Sequence, residues 1–278
     1  MGGITRLKRS KSKICSNEHA KFIKQYKSKK LTILFCQLGL LILFICLWEI
    51  LTQTQVLNVL IFSSPSRIVS TISTLYTSGD LFYHIGITLS ETLIGFVLGV
   101  GLGTIVAILL WWNESLRKIL DPYIVVLNSL PKIALGPIII IWFGAGMQSI
   151  IVMCVLITIV ITTLSMLNAF QSVSNTKILL LQSLGASKFT ILRKLILPSS
   201  LPQFVSVLKI AVGMSWVGSI MGEYLISSAG LGYLIVYGSQ VFQLDLVMSS
   251  TLILCVLASV MYLFVALLEK IVHRRLGL

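Results

Sequence analysis

Charge is scarce in this chain. Aspartate and glutamate together number nine among 278 residues, and all charged residues make up 11%. A soluble domain is about one quarter charged, so a chain this poor in charge cannot cover a water-facing surface. Alternating polar and apolar runs are missing as well, which excludes a membrane β-barrel. The five cysteines show no metal-ligand spacing and no pairing pattern. Cys36, Cys46, Cys154 and Cys255 lie inside apolar runs and Cys15 in a basic tail, where they read as small hydrophobes and one reduced thiol. His19, His84 and His273 are far apart, so no metal site is expected. No G-x-x-x-x-G-K-[ST] phosphate loop occurs, so the chain should not bind ATP by that route. Clustered nucleophiles and paired carboxylates are absent from the sequence too, and an enzyme is disfavoured.

What is abundant is apolar length. Hydrophobic residues make up 56% and the mean hydropathy is +0.97. Runs of about 20 apolar residues recur, each able to cross ~30 Å of hydrocarbon as a helix. The expectation is an all-α integral membrane protein with six transmembrane helices, at about 31–51, 84–110, 120–143, 147–169, 201–222 and 244–268.

The formal net charge of +13 is strongly localised. Ten of the 22 Lys and Arg lie in residues 1–30, beside a single acid, Glu18. With six spans, nineteen basic residues fall on one side of the membrane and only Arg67 on the other; Lys132 and Lys209 fall within spans. The positive-inside rule then puts both termini in the cytoplasm. Residues 1–30 form a basic cytoplasmic tail against anionic lipid, not a nucleic-acid-binding arm, and 31–278 a single transmembrane domain. The tail lacks a small-residue cleavage site and does not read as a secretory leader.

Several local features stand out. Pro65 and Gly79 bracket an outer helix with Ile68, Ile72 and Leu75 on one face. Gly95, Gly99 and Gly103 form a doubled G-x-x-x-G, which lets another helix approach closely. "NSLPKIALGP" interrupts the third span with Pro131, Gly136 and Pro137, and Lys132 sits in the break. Lys132, Lys209, Glu91 and Glu223 are membrane-embedded ionisable residues and therefore functional candidates. Lys132 and Lys209 could attract an anion along a path. Alternatively each neutralises an acid such as Glu91, caps a carbonyl of a broken helix, or snorkels. Trp216 lies two turns from Glu223 on a similar face, where packing is the commoner role. "SSAGLGYLI" is turn-rich and uncharged, and could fold back into the outer membrane half.

The segment "LLLQSLGASKFTILRKLILPSSLP", 179–202, is the most unusual. It divides into two short helices hinged at Gly185, which can take positive φ, with Ser187 as N-cap of the second. In that second helix Phe189, Leu192 and Ile196 share a face, and it could lie on the membrane surface. Leu179, Leu180, Leu181 and Leu184 form an apolar knob. Either they pack against the protein's own spans or they enter a groove on a partner.

"LGASKFTILRKLILPSSLP" resembles the cytoplasmic coupling loop of ABC importer permeases. "LPKIALGPIIIIWFG", "HIGITLSETLIGFVLGVGLG" and "GEYLISSAGLGYLI" resemble the nitrate/sulfonate/taurine-type branch of that family, from about Pro65 onward. The resemblance implies a type I ABC importer permease fold and a homodimer. It also implies two cytoplasmic ATPase subunits, which carry ATP and Mg, and an extracytoplasmic substrate-binding protein. No cofactor is expected in this chain. The ATPase-docking residues would be Leu179, Leu180, Leu181, Leu184, Gly185, Ala186, Ser187 and Lys188. The family's Glu-Ala-Ala positions hold Leu179, Leu180 and Leu181, so docking would rest more on apolar contact. Lys132, Lys209, Trp216 and Glu223 are candidates for the translocation path. The branch implies a small oxyanion such as a sulfonate, nitrate or bicarbonate. A vitamin or vitamin precursor of pyrimidine or riboflavin type is the alternative cargo. A self-sufficient secondary transporter or channel is the rival of another class, and it has no need of the exposed loop.

Overall fold

The computed structural model describes residues 35–276 continuously, together with 22, 25, 29 and 31–33. The basic tail, with Cys15 and His19, lies almost wholly outside the described residues. All regular elements among the described residues are helices, as a chain that must satisfy its backbone in lipid requires. The chain divides into two compact units, 1–66 and 67–278.

The first unit contains α1 (Leu31–Gln53) and the single turn α2 (Val59–Phe62), which Asn58 caps by accepting the Leu60 amide. Glu49 near the end of α1 accepts from Gln53 Nε2 at 2.8 Å, from Ser66 Oγ at 2.8 Å and from the Ser66 amide at 3.1 Å.

The second unit opens within α3 (Pro65–Ser78), which ends before Gly79 at φ +84. Ile68 is buried and Ile72 and Leu75 are half-buried, the face that the spacing predicts. Arg67 pairs with Asp245 at 2.8 Å.

Close packing centres on α7 (Met147–Gln171), which runs between α4 (Asp80–Trp112) and α10 (Leu197–Ile226). Small residues make this possible. A Cβ at Gly99 of α4 would stand 2.7 Å from Thr158 Cβ, and one at Gly103 2.8 Å from Thr162 Cβ; Gly95 abuts Cys154 more tightly still. On the other flank, a Cβ at Gly218 of α10 would stand 2.5 Å from Cys154 Cα, and one at Gly222 3.0 Å from Ile150 Cα. The doubled G-x-x-x-G therefore has α7 as its partner. The proximity permits interhelical hydrogen bonds. Thr163 Oγ1 donates to the Gly103 carbonyl at 3.2 Å and Cys154 Sγ to the Ser215 carbonyl at 3.3 Å.

Three expectations change. First, the third span begins without a 111–119 loop before it and bends sharply at its break. Helix α4 runs to Trp112 and Asn113 caps α5 (Glu114–Ser129). After Pro131 a 3₁₀ turn (Lys132–Leu135) leads into α6 (Gly136–Phe143), and the two arms are bent by 89°. Five helical runs are long and apolar enough to cross a membrane, or six if this bent pair counts as one.

Second, the second short helix after α7 is not separate from the fifth span. Helix α8 (Asn175–Ser183) stands alone, but α9 (Lys188–Ile191) continues through a π-helical turn (Leu192–Ile196) into α10. The Leu197 amide bonds to the Leu192 carbonyl, five residues back. This wider turn loosens the ladder just ahead of Pro198, which has no amide to contribute to it, so the helical run continues past the proline. Third, Leu192 and Ile196 are buried together with Ile191 but Phe189 is 60% exposed, so the three expected residues do not share one buried face.

Helices α11 (Leu231–Gln240) and α12 (Leu244–Leu276) complete the unit. Leu231 and Leu234 of α11 pack with Trp216, Leu246 and Leu254, so "GLGYLI" does fold back against the bundle.

Candidate functional site

The segment between α7 and α10 forms the first candidate surface. Gly185 has φ +79, and Ser187 Oγ accepts the Thr190 amide at 3.3 Å. The hinge and cap lie where the sequence places them. The leucines divide. Leu181, with Ile178 and Ala186, packs against the buried cluster that includes Phe170, Ile191 and Ile196. Leu179 and Leu180 are each 61% exposed and Leu184 74%. Lys188 Nζ donates to the Trp112 carbonyl and lies 5.7 Å from that indole's centroid, anchoring the start of α9 to the end of α4. A cavity of about 580 Å³ beneath α8 is lined by Trp111, Arg117, Gln171, Gln182 and Lys188, among others.

The second cluster joins α4, α10 and α11. The first amides of a helix have no partner within it. Here neighbouring helices supply acceptors: His84 Nδ1 for Gly230 at 2.9 Å, Thr88 Oγ1 for Leu231 at 2.8 Å and Glu223 Oε2 for Gly232 at 2.5 Å. A carboxylate is favoured at this positive helix end. A Cβ at Gly230 or Gly232 would stand 2.5 or 2.7 Å from Glu223 Oε2, so glycine is needed at both. Glu91 and Glu223 are 2% and 1% exposed, and their carboxyls reach one another. Lys132 therefore does not pair with Glu91. Its Nζ donates instead to the Asn128 carbonyl at 3.2 Å, capping the broken helix.

Lys209 and Trp216 occupy a third place. They line a groove of about 570 Å³ between α10 and α12, with Gly213, Ser259, Tyr262 and Leu263. Lys209 Nζ lies 2.8 Å from Glu269 Oε2, so the neutralising acid is Glu269 and not Glu91. Trp216 is 4% exposed and packed, although its Nε1 has no partner. The structure thus joins Lys209 with Trp216, sets Glu223 with Glu91, and leaves Lys132 at the bend.

Sequence reasoning missed Glu269 and the capping roles of His84 and Thr88. A signal for the latter was present: His84, Thr88, Glu91, Thr92, Gly95, Gly99 and Gly103 recur every three or four residues, one continuous polar and small stripe along α4.

Among the described residues no group of His, Cys, Asp and Glu could hold a metal. The architecture is that of a multi-pass helical membrane protein with a hinged polar-side loop and a folded-back helix. The family model described as "Binding-protein-dependent transport system inner membrane component" matches residues 99–278, and the chain belongs to that family. It is 31% identical over 229 residues to a probable ABC transporter permease protein of Haemophilus influenzae, covering 82% of this chain and 91% of that one. It is 31% identical to the formylaminopyrimidine transport permease protein of Halalkalibacterium halodurans (76% and 81% covered) and 26% identical to the taurine transport system permease protein of Escherichia coli (84% and 86%). Among solved structures, an inward-facing methionine ABC transporter chain superposes with a TM-score of 0.60 at 23% identity, covering 69% of this chain and 95% of that one. The protein is accordingly the membrane permease of an ABC importer, not an enzyme.

Proposed function

We propose that two copies of this permease form the translocation path of an ATP-driven importer for a small oxyanion of the sulfonate type. An extracytoplasmic binding protein delivers the substrate, and a cytoplasmic ATPase dimer, carrying ATP and Mg, docks on the loop between α7 and α10. Both termini and that loop then face the cytoplasm. The carrying observation is the division of the leucines: Leu179, Leu180 and Leu184 turn outward from a hinge at Gly185, while Leu181 holds α8 to the bundle. Exposed apolar side chains outside the hydrocarbon fit a partner groove. The similar taurine permease supports a sulfonate cargo. Lys209 and Trp216 on the α10–α12 groove, with Lys132 and Glu223, are the residues proposed for the path.

The similar formylaminopyrimidine permease supports a second reading, a vitamin precursor as cargo. Reconstitution with a candidate ATPase and binding protein tests both. Thermal shift of the binding protein with taurine and with formylaminopyrimidine assigns the cargo. Leu184→Glu should abolish ATPase co-purification while the permease still inserts. Substrate uptake by liposomes holding the permease alone would overturn the importer reading in favour of a secondary transporter.

A further inference from the structure

The Glu91–Glu223 pair has no place in the scheme above beyond a path role for Glu223, and its surroundings are unusual. Glu91 Oε2 and Glu223 Oε1 are buried and receive no hydrogen bond from any other group. The Glu223 carboxyl also accepts from the Gly232 amide through Oε2, and from the Thr88 side chain and the Tyr233 amide. Among the described residues, neither carboxyl has an ion pair with Lys, Arg or His. The titratable neighbours can be named element by element. On α4, His84 is occupied with the Gly230 amide, and Asp80 lies at the helix start. On α7, Cys154 donates to the Ser215 carbonyl. Tyr224 follows Glu223 on α10, and Tyr233 lies at the start of α11. On α12, Asp245 pairs with Arg67 and Glu269 with Lys209.

Two ionised carboxylates in contact here would repel one another without a counter-ion. Two carboxyls can hydrogen-bond only when one of them carries a proton to donate. A charge-assisted O–H···O⁻ bond of this kind is among the strongest that side chains form. It would also leave the second carboxylate negative, as the N-terminal end of α11 favours.

We propose that Glu91 and Glu223 bind one exchangeable proton between them, and that this proton latches the start of α11 onto α4 and α10. The proton comes from water as pH falls and returns to water as pH rises. The latch is therefore closed at low pH. Above the pair's titration, repulsion separates α4 from α10 and weakens the hold of Glu223 on Gly232. The proposal concerns α11 alone and does not depend on the cargo or on ATPase docking.

Two measurements on the full-length permease in nanodiscs test it. Infrared difference spectra across a pH titration should show the carbonyl stretch of one buried protonated carboxyl that disappears as pH rises. Amide hydrogen exchange of 230–236, corrected for the intrinsic pH dependence of exchange, should lose roughly tenfold or more protection over the same interval, the size expected for a hydrogen bond to a charged group. In Glu91→Gln the amide donates permanently in place of the proton. That variant should lose the infrared band and keep protection at all pH values. Glu223→Gln should lose both the band and the protection, since the charged cap is gone. Absence of the band in wild type, or pH-dependent protection persisting unchanged in Glu91→Gln, would overturn the proposal. So would protection that follows sodium concentration at fixed pH, which would assign the pair to a metal cation instead.

Discussion

Lys209 Nζ lies 2.8 Å from Glu269 Oε2, and Ser206 Oγ donates to the other oxygen of the same carboxylate at 3.3 Å. The pair ties α10 to α12 with both side chains mostly covered. Removing one partner leaves the other without its counter-charge in a poorly hydrated place. Lys209→Met should therefore destabilise the permease by about 1–3 kcal/mol, and the double variant Lys209→Met/Glu269→Leu should recover much of that loss. Thermal unfolding in detergent reads the stability. Uptake by the stable double variant then tests the proposed path role, because full uptake would remove Lys209 from the path.

Glycine positions on α4 should differ sharply in tolerance. Gly99→Leu forces a side chain into Thr158, whereas a Cβ at Gly101 meets nothing within 4 Å. Overpacking a close interface costs about 1–3 kcal/mol. Gly99→Leu should lower the detergent melting temperature and Gly101→Leu should leave it nearly unchanged. Equal loss in both would indicate that α4 and α7 do not approach closely.

At Gly185 the space is open but φ is +79. The penalty for a substitution is thus conformational, about 1–2 kcal/mol for a residue with a Cβ. Asn tolerates this region and Val does not. Gly185→Asn should keep ATPase co-purification and Gly185→Val should weaken it, with both variants inserted normally. A loss that is the same for Asn and Val would point to bulk and not backbone conformation.

Orientation is testable by labelling. In a background free of the native cysteines, an impermeant thiol reagent applied to intact cells should modify Ser73→Cys and not Ser183→Cys; both positions are exposed. The opposite pattern would invert the proposed topology and separate the α8 loop from any cytoplasmic partner.

Lys132 caps the Asn128 carbonyl at the 89° bend. Lys132→Arg retains a donor and a charge and should preserve most uptake. Lys132→Met should lose uptake if the charge serves an anionic cargo, with assembly reduced by only about 1 kcal/mol, because the lost hydrogen bond is solvent-exposed. Full uptake by Lys132→Met would confine the residue to capping.

Much of this architecture was legible along the chain, because lipid forces local answers. Apolar runs, glycine spacing, the Pro65 start, the Gly185 hinge and the Ser187 cap each depend on a few consecutive residues, and each lies where the residue pattern places it. The bend after Leu130 was signalled by Pro131 and Pro137, but its angle was not. Proline removes hydrogen bonds without specifying where the freed arm goes.

What only the tertiary structure decided is which distant residues meet. In the sequence Glu91 had two lysines as possible partners, Lys132 and Lys209. In the fold it faces Glu223, 132 positions away, while Lys209 finds Glu269. No local rule could choose between these pairings. The rotations of α4 and α10 are set by their glycine faces closing on α7, and that packing brings Glu91 towards Glu223. The sequence by itself determined a helical membrane protein with a hinged loop, because apolar run length and turn chemistry are properties of short segments. The acidic pair, the capped start of α11 and the inward turn of Leu181 arise from contacts between α4, α7, α8, α10 and α11, and they exist only once those helices are assembled.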